Sequence, residues 1–281
     1  MTTPLVSTAW LTDHLGDPSV VKVEVALAAP ETALYFSAGH IPGAHYAYWK
    51  DLCWDDRSRE FPSPDVMASR LEVFGVTDHS TLVLIGDTIQ FATYTYWVLT
   101  MTGLAHLARV LDGGRQTWER EGLEMTDHPP RAPRRGAVTP GVENRLSRLG
   151  RDDVLAHLED SNRVLLDLRS DEEYAGERVS PVHWTIDHGA ERKGRIPGAR
   201  HLYYEQLLAP DGRFLSASAI EERLDAAGAS RSADVVTYCR LSHRATLGWF
   251  AATHLAGRGN VRVYDGSWTE WGSIVGFPIE R

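Results

Sequence analysis

The chain repeats one pattern. GHIPGA at 39–44, the apolar run TLVLIGD at 81–87 and VLDGGRQTWEREG at 110–122 recur in order as GRIPGA at 194–199, DVVTYC at 234–239 and VYDGSWTEWG at 263–272. Asp87 and Asp112 stand 25 positions apart, Cys239 and Asp265 26. Three landmarks matched in order and spacing indicate a duplicated domain, and 281 residues suffice for two cores of ordinary size. Between the copies, HPPRAPRRGAVTPG (128–141) is rich in Pro, Arg and Gly and lacks periodicity, the composition of a linker or a strap along the surface. The expected organisation is a first domain over 1–127, a linker over 128–142 and a second domain over 143–281.

Each copy alternates short apolar runs with helical patterns. In the second, RVLLDLR (163–169), DVVTY (234–238) and VRVYDG (261–266) read as buried strands. SDEEYAG opens a helix, SASAIEERLDAAG (216–228) is a helix stopped by Gly228, and HRATLGWFAATHLAG (243–257) is one ending at Gly257. This alternation predicts the α/β class, two mainly parallel sheets flanked by helices on both faces. Ligands of such sheets bind beyond the carboxyl ends of the strands, which is where Cys239 falls.

The net charge of −9 argues against nucleic-acid or anionic-membrane partners. The N-terminal MTTPLVSTAW lacks the basic and apolar regions of a secretory signal, and no apolar run is long enough to span a bilayer. The two cysteines, Cys53 and Cys239, share no metal-ligand spacing with the histidines. A cytoplasmic protein with reduced thiols and neither metal nor cofactor is expected.

The chemistry concentrates in CRLSHR (239–244), where the chain must pass from strand to helix within six residues. Main-chain N–H groups of so tight a loop converge near the positive end of the helix and can cradle an anion. A thiol there is stabilised as thiolate, and Arg240 and Arg244 add to the effect. Cys239 is therefore the candidate nucleophile, facing a pocket suited to an anionic substrate. Arg240, Leu241, Ser242, His243 and Arg244 are the candidate binding residues. Cys53, in KDLCWDD, has no such setting and reads as a packing residue.

Taken together, CRLSHRA, DLRSDEEY…GRIPGA and VYDGSWTEWG resemble the rhodanese family of sulfurtransferases, and the resemblance covers almost the whole chain as a tandem of two domains. It implies that the second domain is catalytic and the first an inactive copy, with Asp87 at the cysteine position. It further implies a double displacement: Cys239 takes the outer sulfur of thiosulfate as a persulfide and passes it to cyanide or a thiol. Arg240 and Arg244 would hold the donor's sulfonate end. Arg192, Lys193 and Arg195 form a basic run that reads by default as solvated charge. Family members commonly place donor-binding arginines nearby, which makes Arg192 and Arg195 candidates. Asp167 and Arg169 match a pair that buttresses the loop. The working site would lie at a cleft between the domains, within possible reach of His40.

Two neighbouring activities differ in the loop. Mercaptopyruvate sulfurtransferases typically carry CGSGVT, whereas Arg240 and Leu241 occupy the Gly and Ser positions here. The phosphatase and arsenate-reductase branch places its arginine six positions after the cysteine, whereas Arg244 lies five after Cys239. Ser242 stands where the family commonly has a glycine, which admits φ > 0 or close backbone approach. Ser242 and His243 also leave open a persulfide relay with a protein donor or acceptor. Asp265 reads as a turn residue, Trp268 and Trp271 as packing residues.

Overall fold

A computed structural model describes residues 3–156, 158, 160 and 162–281. The chain divides into two compact units. Unit 1 comprises Met1–Arg145 with Pro210–Arg213, and unit 2 comprises Leu146–Ala209 with Phe214–Arg281.

Unit 1 contains β1 (Leu5–Val6), α1 (Thr8–Asp13), β2 (Val20–Ala26), α2 (Leu34–Ala38), β3 (His45–Tyr48), α3 (Trp49–Cys53), α4 (Pro64–Glu72), β4 (Thr81–Gly86), α5 (Ile89–Met101), β5 (Ala108–Leu111) and α6 (Gly114–Arg120). Unit 2 contains β6 (Arg148–Leu149), α7 (Arg151–Ala156), β7 (Arg163–Asp167), α8 (Asp171–Ala175), β8 (Arg200–His201), α9 (Ala217–Ala226), β9 (Asp234–Tyr238), α10 (His243–Phe250), β10 (Val261–Tyr264) and α11 (Ser267–Trp271).

The two sheets run β1-β5-β4-β2-β3 and β6-β10-β9-β7-β8, the same order displaced by five strands, with every pairing parallel. Parallel strands are joined by crossovers and covered on both faces, so their residues are apolar on both sides. β9 illustrates this. Val236 and Tyr238 pack with Val154, Trp268 and Trp271 on one face, while the Thr237 hydroxyl donates to the Ala245 carbonyl of α10 on the other.

Helix boundaries follow local chemistry. Ser170 caps α8 through a capping box with Glu173, and Gly176 ends it at φ 80°. Ser216 caps α9, and Gly228 follows it at φ 77°. The helix expected over 243–257 is regular only through Phe250. It widens to a π turn over Ala251–Leu255, where the Ala256 amide reaches back five residues to Ala251, before Gly257 at φ 71°. The Pro/Arg-rich segment follows unit 1. The Gly136 amide donates to the Glu72 carbonyl, the Val138 amide to the Glu72 carboxylate, and Thr139 binds Asp78 through both its amide and its hydroxyl.

Candidate active site

In both sheets the connections reverse direction beside the central strand, between β4 and β2 and between β9 and β7. Such a reversal is where open parallel sheets bind ligands, beyond the carboxyl ends of the strands. In unit 2, Tyr238 and Asp167 are partners in register there, and Cys239 is the next residue.

Cys239 is buried, 1% exposed. Its amide donates to the Ser267 hydroxyl at 3.1 Å, and its carbonyl accepts from the Trp268 amide at 2.9 Å. The Arg240 carbonyl accepts from both the amide and the hydroxyl of Thr269, at 3.0 and 2.7 Å. α11 therefore clamps the start of the loop. Ser242 holds its far end. It adopts φ 69°, the left-handed conformation that glycine supplies more cheaply, and its hydroxyl donates to the Asp265 carbonyl and to Asp265 Oδ1. Asp265 is thus more than a turn former: buried, it is also paired with Arg148 at 3.2 Å.

With both ends fixed, the N–H groups of Arg240, Leu241, Ser242, Arg244 and Ala245 have no protein hydrogen-bond acceptor among the described residues. Orphan amides are expected at a helix start, but the loop adds its own to those of the first turn. A run of such donors favours an anion. His243 is half-buried at the first position of α10, and its amide donates to the carbonyl of Leu241, itself half-buried.

The arginines are placed in three different ways. Arg244 forms a buried fork with Glu173, Nη1 to Oε2 at 2.6 Å and Nη2 to Oε1 at 2.8 Å. Burial alone disfavours its charge, but Glu173, and a negative charge on Cys239, raise its pKa above the ordinary value. Arg240 is half-buried, its charge disfavoured by burial and then by Arg244, and favoured by Glu173 and Cys239. Its Nε and Nη2 donate to the His188 carbonyl at 3.2 and 3.0 Å.

Arg192 and Arg195, read from the resemblance as donor-binding, are engaged elsewhere. The Arg192 guanidinium donates to the carbonyls of Gly272, Phe277, Trp271 and Ile274, lacing the C-terminal segment to the rest of unit 2. Arg195 pairs with Glu280, donates to the Tyr174 carbonyl and stacks on the Tyr174 ring at 4.6 Å. Both guanidiniums are thus engaged with protein groups of unit 2.

Asp167 and Arg169 form a fully buried pair at 2.6 Å. Arg169 also donates to the Gly194 carbonyl and stacks over Trp268 at 4.7 Å, tying together the end of β7, the IPGA turn and α11. Trp268 and Trp271 are fully buried in the same core. Glu173, Ser267 and the residues contacting Arg240 were not singled out from the sequence. Glu173 was visible there only as one acid of a helix start, and no pattern marked the others.

In unit 1, Asp87 follows β4 as Cys239 follows β9. Its carboxylate accepts from the amides of Leu27 at 2.9 Å and Thr88 at 2.6 Å, and burial raises its pKa. Only Asp87 and Thr88 separate β4 from α5, whereas four residues, Cys239–Ser242, separate β9 from α10. The first copy lacks both the thiol and the length of loop that surrounds it. Cys53 is fully buried against Thr95, and burial pushes its thiol up to about 12. His40 is also buried, stacked on Phe36 with Nδ1 2.9 Å from the Phe36 carbonyl.

Two copies of a five-stranded parallel unit, one ending its central strand in a cysteine within an amide-rich loop, define a tandem of rhodanese-like domains. The rhodanese-like domain model matches residues 7–121 and 151–274, and the chain belongs to that family. It is 37% identical over 281 residues to the "Sulfur carrier protein TtuD" of Thermus thermophilus, covering 99% of this chain and 96% of that one. It is 37% identical over 276 residues to the "Putative thiosulfate sulfurtransferase SseA" of Mycobacterium tuberculosis, covering 98% and 90%. Among solved structures it resembles SseA of Escherichia coli, whose description concerns 3-mercaptopyruvate sulfotransferases, with a TM-score of 0.77 and 23% identity over 95% of this chain and 99% of that one. At that identity the likeness concerns the fold. Among the described residues, no helix is long and apolar enough to cross a membrane.

Proposed function

We propose that the protein is a thiosulfate sulfurtransferase working through a persulfide on Cys239. The Cys239 thiolate attacks the outer sulfur of thiosulfate. A sulfur–sulfur bond forms to the enzyme as the donor's sulfur–sulfur bond breaks, and that bond's electron pair leaves with sulfite. Cyanide, or the thiolate of a cellular thiol, then attacks the terminal sulfur and departs as thiocyanate or a persulfide. The electron pair returns to Cys239, and no cofactor is needed to balance either step.

The observation that carries this reading is the set of unpartnered N–H groups in the loop beginning at Cys239. They suit an anion that is thiolate, persulfide and thiolate again in turn, and such preorganised donors favour the charge without rearranging. Arg240 meets the donor's sulfonate. Arg244, with both terminal nitrogens on Glu173, supplies charge and fixes the loop. The Cys239→Ser variant is expected to have no thiosulfate:cyanide transfer, and full activity in that variant would overturn the reading.

The sulfur-carrier name of one relative favours a second reading, a persulfide relay between proteins. Steady-state assays with thiosulfate and with mercaptopyruvate separate the readings. Fast turnover of thiosulfate supports the enzyme. Slow turnover of both donors beside a lasting one-sulfur adduct on Cys239 supports the relay, and preference for mercaptopyruvate would replace the donor.

A further inference from the structure

The second copy carries a segment that the first does not. From the end of β2 at Ala26 to Gly39 the chain takes 13 residues, but from the end of β7 at Asp167 to Gly194 it takes 27. The extra chain has no strand or helix after α8 but is pinned by its own polar contacts. Asp187 accepts from the Val179 and Ser180 amides at 2.9 and 3.0 Å and from the Ser180 hydroxyl at 3.0 Å. Arg178 donates to the carbonyls of Ser180 and Trp184 at 3.2 and 2.8 Å.

This segment is shaped around the side chain next to the catalytic cysteine. The Arg240 guanidinium stacks on the Trp184 ring at 4.7 Å. Its Nε and Nη2 reach the His188 carbonyl, and Nη2 lies 3.3 Å from His188 Nδ1. The third wall is Gly189, at φ +117°, where an added Cβ would stand 2.3 Å from Nη2 and 2.6 Å from Cζ. A side chain at 189 and the observed Arg240 could not coexist. Nη1 alone has no protein partner among the described residues.

We propose that Trp184, His188 and Gly189 are positioning residues that select the sulfur donor, by holding Arg240 with one terminal nitrogen left for an oxyanion close to the sulfur being transferred. The inference rests on the reading of Cys239 as the sulfur-accepting thiolate and of Arg240 as the group that meets the donor. In thiosulfate, the anionic sulfonate is bonded directly to the transferred sulfur. In mercaptopyruvate, a methylene and a keto carbon separate the carboxylate from the sulfur. A guanidinium carried by the residue after Cys239, charge-coupled to it and held by Trp184 and His188, suits the first geometry, and fixing it before the donor arrives removes an ordering cost from binding. The selected class is the thiosulfonate-type donor, with its charge adjacent to the sulfur that moves.

The test compares Trp184→Ala, Gly189→Ala and Arg240→Ala in the full-length protein. Each is expected to raise KM for thiosulfate about tenfold, the loss of one charge-assisted contact, with kcat within about twofold. KM for mercaptopyruvate should stay unchanged. The Trp184→Ala/Arg240→Ala double variant should be no worse than Arg240→Ala alone. The rate of Cys239 alkylation by iodoacetamide, which carries no charge, should match the parent in Trp184→Ala and Gly189→Ala, which keep the Arg240 charge. If Arg240→Ala is impaired while Trp184→Ala and Gly189→Ala behave as the parent, the inference falls and the proposed function stands. If Arg240→Ala itself captures thiosulfate normally, the assignment of Arg240 falls, and the inference with it. A parallel loss for both donors and for iodoacetamide would mean general damage to the loop, and would also overturn the inference.

Discussion

Two side chains set the loop's energetics in opposite ways. Ser242 in the left-handed region carries a conformational cost of about 1–2 kcal/mol, and its hydroxyl's bonds to Asp265 return about 1 kcal/mol. Ser242→Gly removes both terms and should stay within about 1 kcal/mol of the parent. Ser242→Ala keeps the strain and loses the bond, costing about 1–3 kcal/mol. Urea midpoints should therefore place Ala below Gly, and the reverse order would refute the strain account. Glu173 acts on a larger scale. Glu173→Gln leaves a buried guanidinium without its counter-charge and should cost about 3–5 kcal/mol in the same measurement. Of these two residues, only Ser242 drew notice in the sequence, because it replaced a small residue within a short motif. The partner of Arg244 lies 71 positions upstream, and nothing local to either residue announces the pair.

Among the elements, α8 shows how a short local signal supports a distant function. Its five residues hold Glu173 against Arg244 of the Cys239 loop, and the Ser170–Glu173 capping box fixes its first turn. Ser170→Ala should cost about 1 kcal/mol by thermal or urea unfolding. It should also lower sulfurtransferase activity through Glu173, and a variant losing neither would disprove that coupling. The strands and principal helices were legible because periodicity and the Gly and Ser stops are local. The 177–193 segment was not, because it has no period to read. Its only trace was the unequal spacing between landmarks upstream of the two IPGA turns. The contacts of Arg192 and Arg195 were not legible for a related reason. A basic run looks the same whether its guanidiniums face a ligand or, as here, main-chain carbonyls and a glutamate from the C-terminal segment.

At the scale of the whole molecule, duplication preserved the sheet and not the site. Both copies have an arginine that donates to the carbonyl opening the IPGA turn and pairs with a strand acid. In unit 1 these are Arg115, Gly39 and Glu24, and in unit 2 Arg169, Gly194 and Asp167. The scaffold is shared, while the first loop is shorter than the second by two residues. The Asp87→Cys variant is therefore expected to gain no sulfur at position 87 under conditions that load Cys239. A sulfur adduct mapped to that position by mass spectrometry would show that loop length was not the limit. Acid should destabilise the chain. Several carboxylates sit below their ordinary range: Glu280 through the Gly198 amide and then Arg195, Asp234 through Arg262 and Arg163 acting against burial, and Asp187 through the Val179 and Ser180 donors acting against burial. A depressed carboxylate contributes stability above its unfolded value, about 4, and that contribution is lost as the pH falls through the folded value. Glu24 and Asp87, raised by burial, change with the opposite sign but are fewer. The unfolding midpoint should drop as the pH falls below about 4, and a flat profile there would contradict this balance.

The most direct measurement of the central claim is intact-mass spectrometry of the reduced protein before and after brief exposure to thiosulfate, with peptide mapping of the adduct. The account predicts a gain of one sulfur atom, located on Cys239 and removed by cyanide. No gain in mass, or a gain located on Cys53, would contradict it.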